Sequence, residues 1–156
     1  MAAASDKLEN SFIDWFFRGQ AIGLTGASAG AGTGPTSLYV GLLTAAPSDT
    51  GGGTEVTGGS YARVTVASNM TNWAGTQAAA STTASTGTSG TTSNNIAITF
   101  PSPTANWGVV THFGIYDASA SGNLLYWGAL TVSKTVNNLD SAPLFAIGAL
   151  TIQVDN

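Results

Sequence analysis

The chain has no cysteine among its 156 residues, so neither a disulfide framework nor a thiolate metal site is open to it. Charge is nearly as scarce: Asp, Glu, Lys and Arg make up 8%, against roughly 25% in ordinary soluble domains. From Val64 to Tyr116 there is no acid, lysine or arginine at all. A lone monomer uses charge for solubility and for blocking edge-to-edge strand pairing, so a surface of Ser, Thr, Gly, Asn and Ala predicts a chain that faces other subunits. The four strong cations, Lys7, Arg18, Arg63 and Lys134, are dispersed along a chain of net charge -4. No basic stripe is available to neutralise phosphates, which argues against a nucleic-acid partner. Asp6, Lys7, Glu9 and Asp14 interrupt the apolar N-terminal stretch, so it reads as neither a signal peptide nor a membrane span. Synthesis and assembly in a cytoplasm are the expectation.

Catalytic signatures are missing in the same way. Gly26-Ala27-Ser28-Ala29-Gly30 matches the G-x-S-x-G elbow, with Asp49 and His112 following in α/β-hydrolase order. The elbow needs a strand before its serine and a helix after it, whereas Ser28 lies in a glycine connector followed by Gly32, Gly34 and Pro35. Gly30 to Gly34 lacks the lysine and helix of a phosphate loop. His112 is the only histidine, which excludes a multi-histidine metal site within one chain. The eight carboxylates are spread out and form no calcium loop. A noncatalytic chain without cofactor or metal is expected.

The elements that are present alternate. Asp6 followed by Glu9 resembles a capping box, and Leu8, Phe12, Trp15 and Phe16 then fall at i, i+4, i+7 and i+8. This predicts an amphipathic helix over 6–18, stopped at Gly19, with Ile13 and Phe17 widening its apolar stripe. A Gly-rich connector spans 23–34. Alternating strands are read at Leu38–Leu43, Tyr61–Ala67, Ile96–Phe100 and Leu144–Val154, with a hairpin from Trp107 to Val132. Thr76–Ser93 contains only Thr, Ser, Ala, Gly and Gln, and reads as a flexible loop because it offers nothing to bury. The length fits a single domain, 1–156. The fold class is mainly β: one antiparallel β-sandwich or jelly roll over 38–154 with a short N-terminal amphipathic α-helix.

Three segments carry a family resemblance: LYVGLLTAAPSDTGGGTEVTGGSYARVTV from Leu38 to Val66, WGVVTHFGIYDASASGNLLYWGAL from Trp107 to Leu130, and GALTIQV from Gly148 to Val154. In this order they resemble small bacteriophage virion proteins, tail-fibre-like or capsid-associated. The resemblance covers most of the chain apart from Gly23–Gly34 and the Ser/Thr/Ala tract after Gly75. It implies a noncatalytic structural protein of the virion, working as a homo-oligomer, with a trimer expected. The leading expectation is a capsid decoration (cement) protein that bridges coat subunits, with the major capsid protein or another virion protein as partner. The alternative is a tail or head fibre component that binds a host surface receptor or glycan. Leu8, Phe12, Trp15 and Phe16 are the candidates for docking on a partner. Trp107, Phe113, Tyr126 and Trp127, inside apolar alternating runs, are expected in the core or at an oligomer contact.

Overall fold

Helix α1 is capped one residue earlier than its Asp6–Glu9 spacing suggests. Ser5 has extended backbone (φ -92°, ψ 153°) and its hydroxyl accepts the Leu8 amide at 3.4 Å, so the helix runs Asp6–Phe16. Asp6 and Glu9 then occupy the first turn, where the helix dipole favours carboxylates. The computed structural model describes residues 4–24 and 34–154. The Gly-rich connector, apart from its first two residues and Gly34, lies outside the described residues, and so does the Ser28 elbow. The strands are β1 (Ser37–Ala45), β2 (Thr54–Glu55), β3 (Val64–Ala67), β4 (Thr91–Ser93), β5 (Ile98–Thr99), β6 (Gly108–Tyr116), β7 (Leu124–Val136), β8 (Leu144–Phe145) and β9 (Thr151–Gln153). The fold is mainly β, with antiparallel sheets and one short helix among the described residues. The chain forms two compact units, one of Met1–Ser37, Ala67–Ile98 and Phe145–Asn156, the other of Leu38–Val66 and Thr99–Leu144.

In the first unit the helix buries Glu9, Ile13 and Asp14, and its C-cap Phe17 is buried as well. Glu9, Ile13 and Phe17 are spaced at i, i+4 and i+8, so they form one line along the axis. The expected stop holds: Gly19 has φ +65°, and a Cβ there would sit 2.4 Å from the Ser68 carbonyl oxygen. The helix ends at Phe16 rather than residue 18: across Gly19 the Gln20 amide bonds back to the Asp14 carbonyl at 2.9 Å, and Phe17 and Arg18 are each fully buried. The Phe17 ring meets the buried Trp73 ring at 5.2 Å.

Arg18 explains the Ser/Thr/Ala tract. Its guanidinium pairs with Asp14 and donates to the carbonyls of Trp73 (3.0 Å), Ser81 (3.2 Å) and Thr83 (2.6 Å) and to the Ser85 hydroxyl (3.1 Å). Asp14 in turn accepts the Ser85 amide and hydroxyl. Asn10 bonds Gly87 and Thr76, and Thr76 bonds the Gly87 amide. A stretch with no apolar side chain to bury is thus wound around a buried ion pair, and Thr76, Thr92 and Ser93 are buried within it. Thr91–Ser93 pairs with Thr151–Gln153. The fully buried Asn94 holds the other side, donating to the Ile96 and Ala146 carbonyls and accepting the Leu150 amide. The C-terminal strand read as one run is therefore two, because residues 146–149 turn with Gly148 at φ +76°.

The second unit is a sheet of order β2-β1-β6-β7, with β3 also on β1. Leu38, Val40, Leu42 and Leu43 of β1 and Val110, Phe113 and Ile115 of β6 are buried. Fully burying side chains of this size contributes about 1.5–3 kcal/mol each. The β6–β7 hairpin is the one expected, but β7 runs on to Val136 and is interrupted. Val110 pairs with Lys134 and His112 with Ala129, so Thr111 stands against Leu130–Ser133 and the strand bulges there.

Candidate functional site

Two glycines open the space for the most elaborate side-chain cluster of the second unit. Gly41 and Gly114 face each other across β1 and β6. A Cβ on Gly41 would lie 2.9 Å from the Glu55 carboxylate and 3.0 Å from both the Tyr61 hydroxyl and the Tyr116 ring, and one on Gly114 would lie 2.8 Å from the same ring. Into this gap come Glu55, Tyr61, Arg63 and Tyr116. Arg63 makes a two-pronged pair with Glu55 (Nε to Oε1 2.8 Å, Nη2 to Oε2 2.7 Å), and its guanidinium carbon lies 3.4 Å from the centre of the Tyr116 ring. Its remaining nitrogen donates to the carbonyls of Ala118 and Ser121, both at 2.7 Å. Tyr61 donates to Glu55 at 2.8 Å and accepts the Leu42 amide at 2.8 Å.

The GGSYAR segment builds this cluster from below. Gly59 has φ +55°, and a side chain there would meet the Trp107 indole nitrogen at 2.9 Å. That nitrogen donates to the Gly59 carbonyl at 2.9 Å. The Tyr61 ring stands edge-on to Trp107 at 5.3 Å and stacks near Phe100 at 6.3 Å. Above the cluster the turn after β6 is closed by Asp117, which accepts the amide and side-chain nitrogen of Asn123, both at 2.7 Å. These bonds hold the Asp117 carboxyl below its ordinary range. A groove of about 450 Å³ lies between Glu55–Gly58, Tyr61–Arg63 and Ser119–Ser121.

The chemistry of this arrangement is positional. The Arg63 charge is taken up by Glu55, two carbonyls and a ring, so it fastens the 117–123 turn instead of offering itself to an anion. Burial disfavours the charged guanidinium, but Glu55 outweighs this and raises its pKa further. Burial, reinforced by Glu55, pushes the Tyr61 phenol far up, and it raises Tyr116 and Tyr126 as well. Because the folded state holds these phenols neutral, it binds more protons than the unfolded chain above the ordinary tyrosine value of about 10. Stability is therefore expected to be unaffected by these groups below about pH 10 and to fall as pH rises beyond it. An ultraviolet titration checks this: the three phenols should ionise above the ordinary value, with Tyr61 the most resistant, and ionisation of Tyr61 at the ordinary value in the folded protein would show the cluster to be open.

Among the described residues no group of three or more His, Cys, Asp or Glu side chains comes together to hold a metal. His112 Nδ1 lies 2.8 Å from the neighbouring Thr111 hydroxyl, and its ring is 5.9 Å from that of Trp127. No helix among the described residues is long and apolar enough to cross a membrane.

The residues singled out in the sequence separate into two groups. Trp107 and Phe113 are buried, and the Phe113 ring lies over Gly128, where a Cβ would be 2.8 Å away. Tyr126 is half-buried, while Trp127 is 40% exposed. On α1, Leu8 is 45% exposed. Phe12, Trp15 and Phe16 are half-buried and stack together, with Phe12 and Phe16 nearly parallel at 5.4 Å. The helix thus buries the Glu9-Ile13-Phe17 line in its own unit, while the half-buried Phe12, Trp15 and Phe16 rings pack on one another. Sequence reasoning missed Arg18, Glu55 and Arg63; the available signal was that two of only four strong cations follow an acid closely, Arg18 four residues after Asp14 and Arg63 eight after Glu55.

A protein-family model described as Podophage GP4 fiber I protein gp80 matches residues 3–153. No curated protein matches the chain.

Proposed function

The chain belongs to the podophage GP4 fiber I protein gp80 family, and from this we propose that it is a noncatalytic structural component of a bacteriophage fibre. The observation that carries the reading is the extent of the match, which runs through both units. It favours the fibre over the capsid cement role that leads in the sequence reading. The corresponding location is the virion. The exposed Leu8 and the half-buried Phe12 of α1 are the docking surface toward another virion protein. The turn between β6 and β7, fastened by Arg63 and bordering the 450 Å³ groove, is the surface for recognising a host receptor or glycan.

The test is the copy number of the chain per purified particle, measured by quantitative mass spectrometry against the major coat protein, with immunogold labelling for position. A fibre component is expected in a few to some tens of copies confined to the tail or a vertex. Hundreds of copies spread over the shell would return the reading to capsid cement.

A further inference from the structure

Arg63 uses most of its hydrogen-bonding capacity inside the chain, but not all of it. A guanidinium has five N–H groups, and four are committed: Nε and one Nη2 hydrogen to Glu55, and both Nη1 hydrogens to the Ala118 and Ser121 carbonyls. The fifth, on Nη2, has no partner among the described residues. Glu55 is left in the complementary condition. Its Oε1 accepts from both Tyr61 and Arg63, whereas Oε2 accepts from Arg63 alone, and a carboxylate oxygen can take two such bonds. Both side chains line the groove of about 450 Å³, a volume within the range of about 300–1,000 Å³ usual for small-molecule sites. Its wall therefore carries a donor and an acceptor 2.7 Å apart, on groups whose charges cancel.

We propose that this groove takes a neutral saccharide, held by the Glu55–Arg63 couple and by the hydroxyls of Thr57, Ser119 and Ser121. The assignment rests on the reading of the β6–β7 turn as the host-recognition surface, and it gives that surface a ligand class. A sugar hydroxyl matches the couple on both counts, donating to Oε2 while accepting from Nη2. A simple anion or cation meets attraction from one member and repulsion from the other. Asp117, on the same turn, adds negative charge, which disfavours acidic sugars further. The Thr57, Ser119 and Ser121 side chains are exposed and bond to nothing else among the described residues, so each adds a donor and an acceptor. A peptide would anchor through apolar side chains sunk into pockets. The lining offers none: apart from Tyr61, whose ring is packed on Trp107 and Phe100, and the buried Val56, its uncharged members are Thr, Gly, Ala and Ser.

The purified full chain is tested on an array of neutral oligosaccharides and of acidic ones bearing uronate or sialate, together with surface polysaccharide extracted from a permissive host strain. Binding is expected to neutral sugars only, and to hold from about 0.05 to 0.5 M salt, a range over which ionic contacts are screened. The ion pair itself is left intact, because the fold depends on it. Ala120→Trp, which fills the groove from an exposed position, should weaken binding at least tenfold while the melting temperature stays that of the parent. Trp127→Ala, on the exposed ring outside the groove, should leave binding unchanged. A preference for acidic sugars, binding that fades with salt, or loss with Trp127→Ala instead of Ala120→Trp would overturn the proposal. Particles carrying Ala120→Trp test the underlying reading separately. Normal adsorption would remove the turn from host recognition. Failed adsorption, with a parent chain that binds no saccharide, would keep the turn and overturn the sugar, leaving a surface protein as the ligand.

Discussion

Arg63→Ala is expected to destabilise the protein by about 3–5 kcal/mol, the range for stripping one partner from a buried ion pair. The Arg63 side chain is only 7% exposed and Glu55 23%, so solvent does little to replace the lost partner. The substitution removes both prongs of the Glu55 contact, the cation over the Tyr116 ring and the two donors to the 117–123 turn. Urea denaturation should show a lower midpoint with an unchanged slope. Hydrogen exchange should show faster opening near Ala118 and Ser121. Arg63→Lys should recover only part of the loss, since an ammonium cannot reproduce the planar fork or stack on the ring. A loss below about 1 kcal/mol would assign the pair to the class of exposed surface bridges.

Arg18→Met is expected to cost a comparable amount, again about 3–5 kcal/mol, but with a different footprint. Methionine keeps much of the buried bulk while leaving Asp14 without its cation and the carbonyls of Trp73, Ser81 and Thr83 without their donor. Exchange protection should therefore fall across 73–89 and stay near parental values in the Leu38–Val66 segment. Combining Arg18→Met with Asp14→Leu should restore part of the stability, because the penalty lies in the unpaired buried charge more than in the loss of attraction. A uniform fall in protection across the chain would indicate global unfolding and not release of the tract.

These two arginines mark where the sequence stopped being readable. The helix, its stop at Gly19, the apolar strand after residue 37 and the β6–β7 hairpin all carry a periodicity or a turn signal, and each appears in the structure. The tract after Gly75 carries neither. Its order comes from side-chain-to-backbone bonds converging on one distant guanidinium, and such bonds impose no repeat on the residues that make them. The helix face was hard to assign for a related reason. Apolar residues lie on both sides of α1, and the side buried in its own unit is the one bearing Glu9 and Asp14, whose charge argues against burial until Arg18 is in place beside Asp14. The cluster at Glu55, Tyr61 and Arg63 was visible only as a quoted motif. Its role depends on the cross-strand meeting of Gly41 and Gly114, and that meeting is fixed by register.

The bulge at Leu130–Ser133 limits edge-to-edge stacking in a chain with so few charges. Ordinarily lysines and glutamates along an edge discourage endless strand stacking. Here the flat, pairable length is cut short by geometry, and the other side of the sheet closes in the two-residue β2, preceded by three consecutive glycines at positive φ. Shape thereby takes over a task that composition leaves undone, and the protein can present a nearly neutral exterior without becoming a template for its own aggregation.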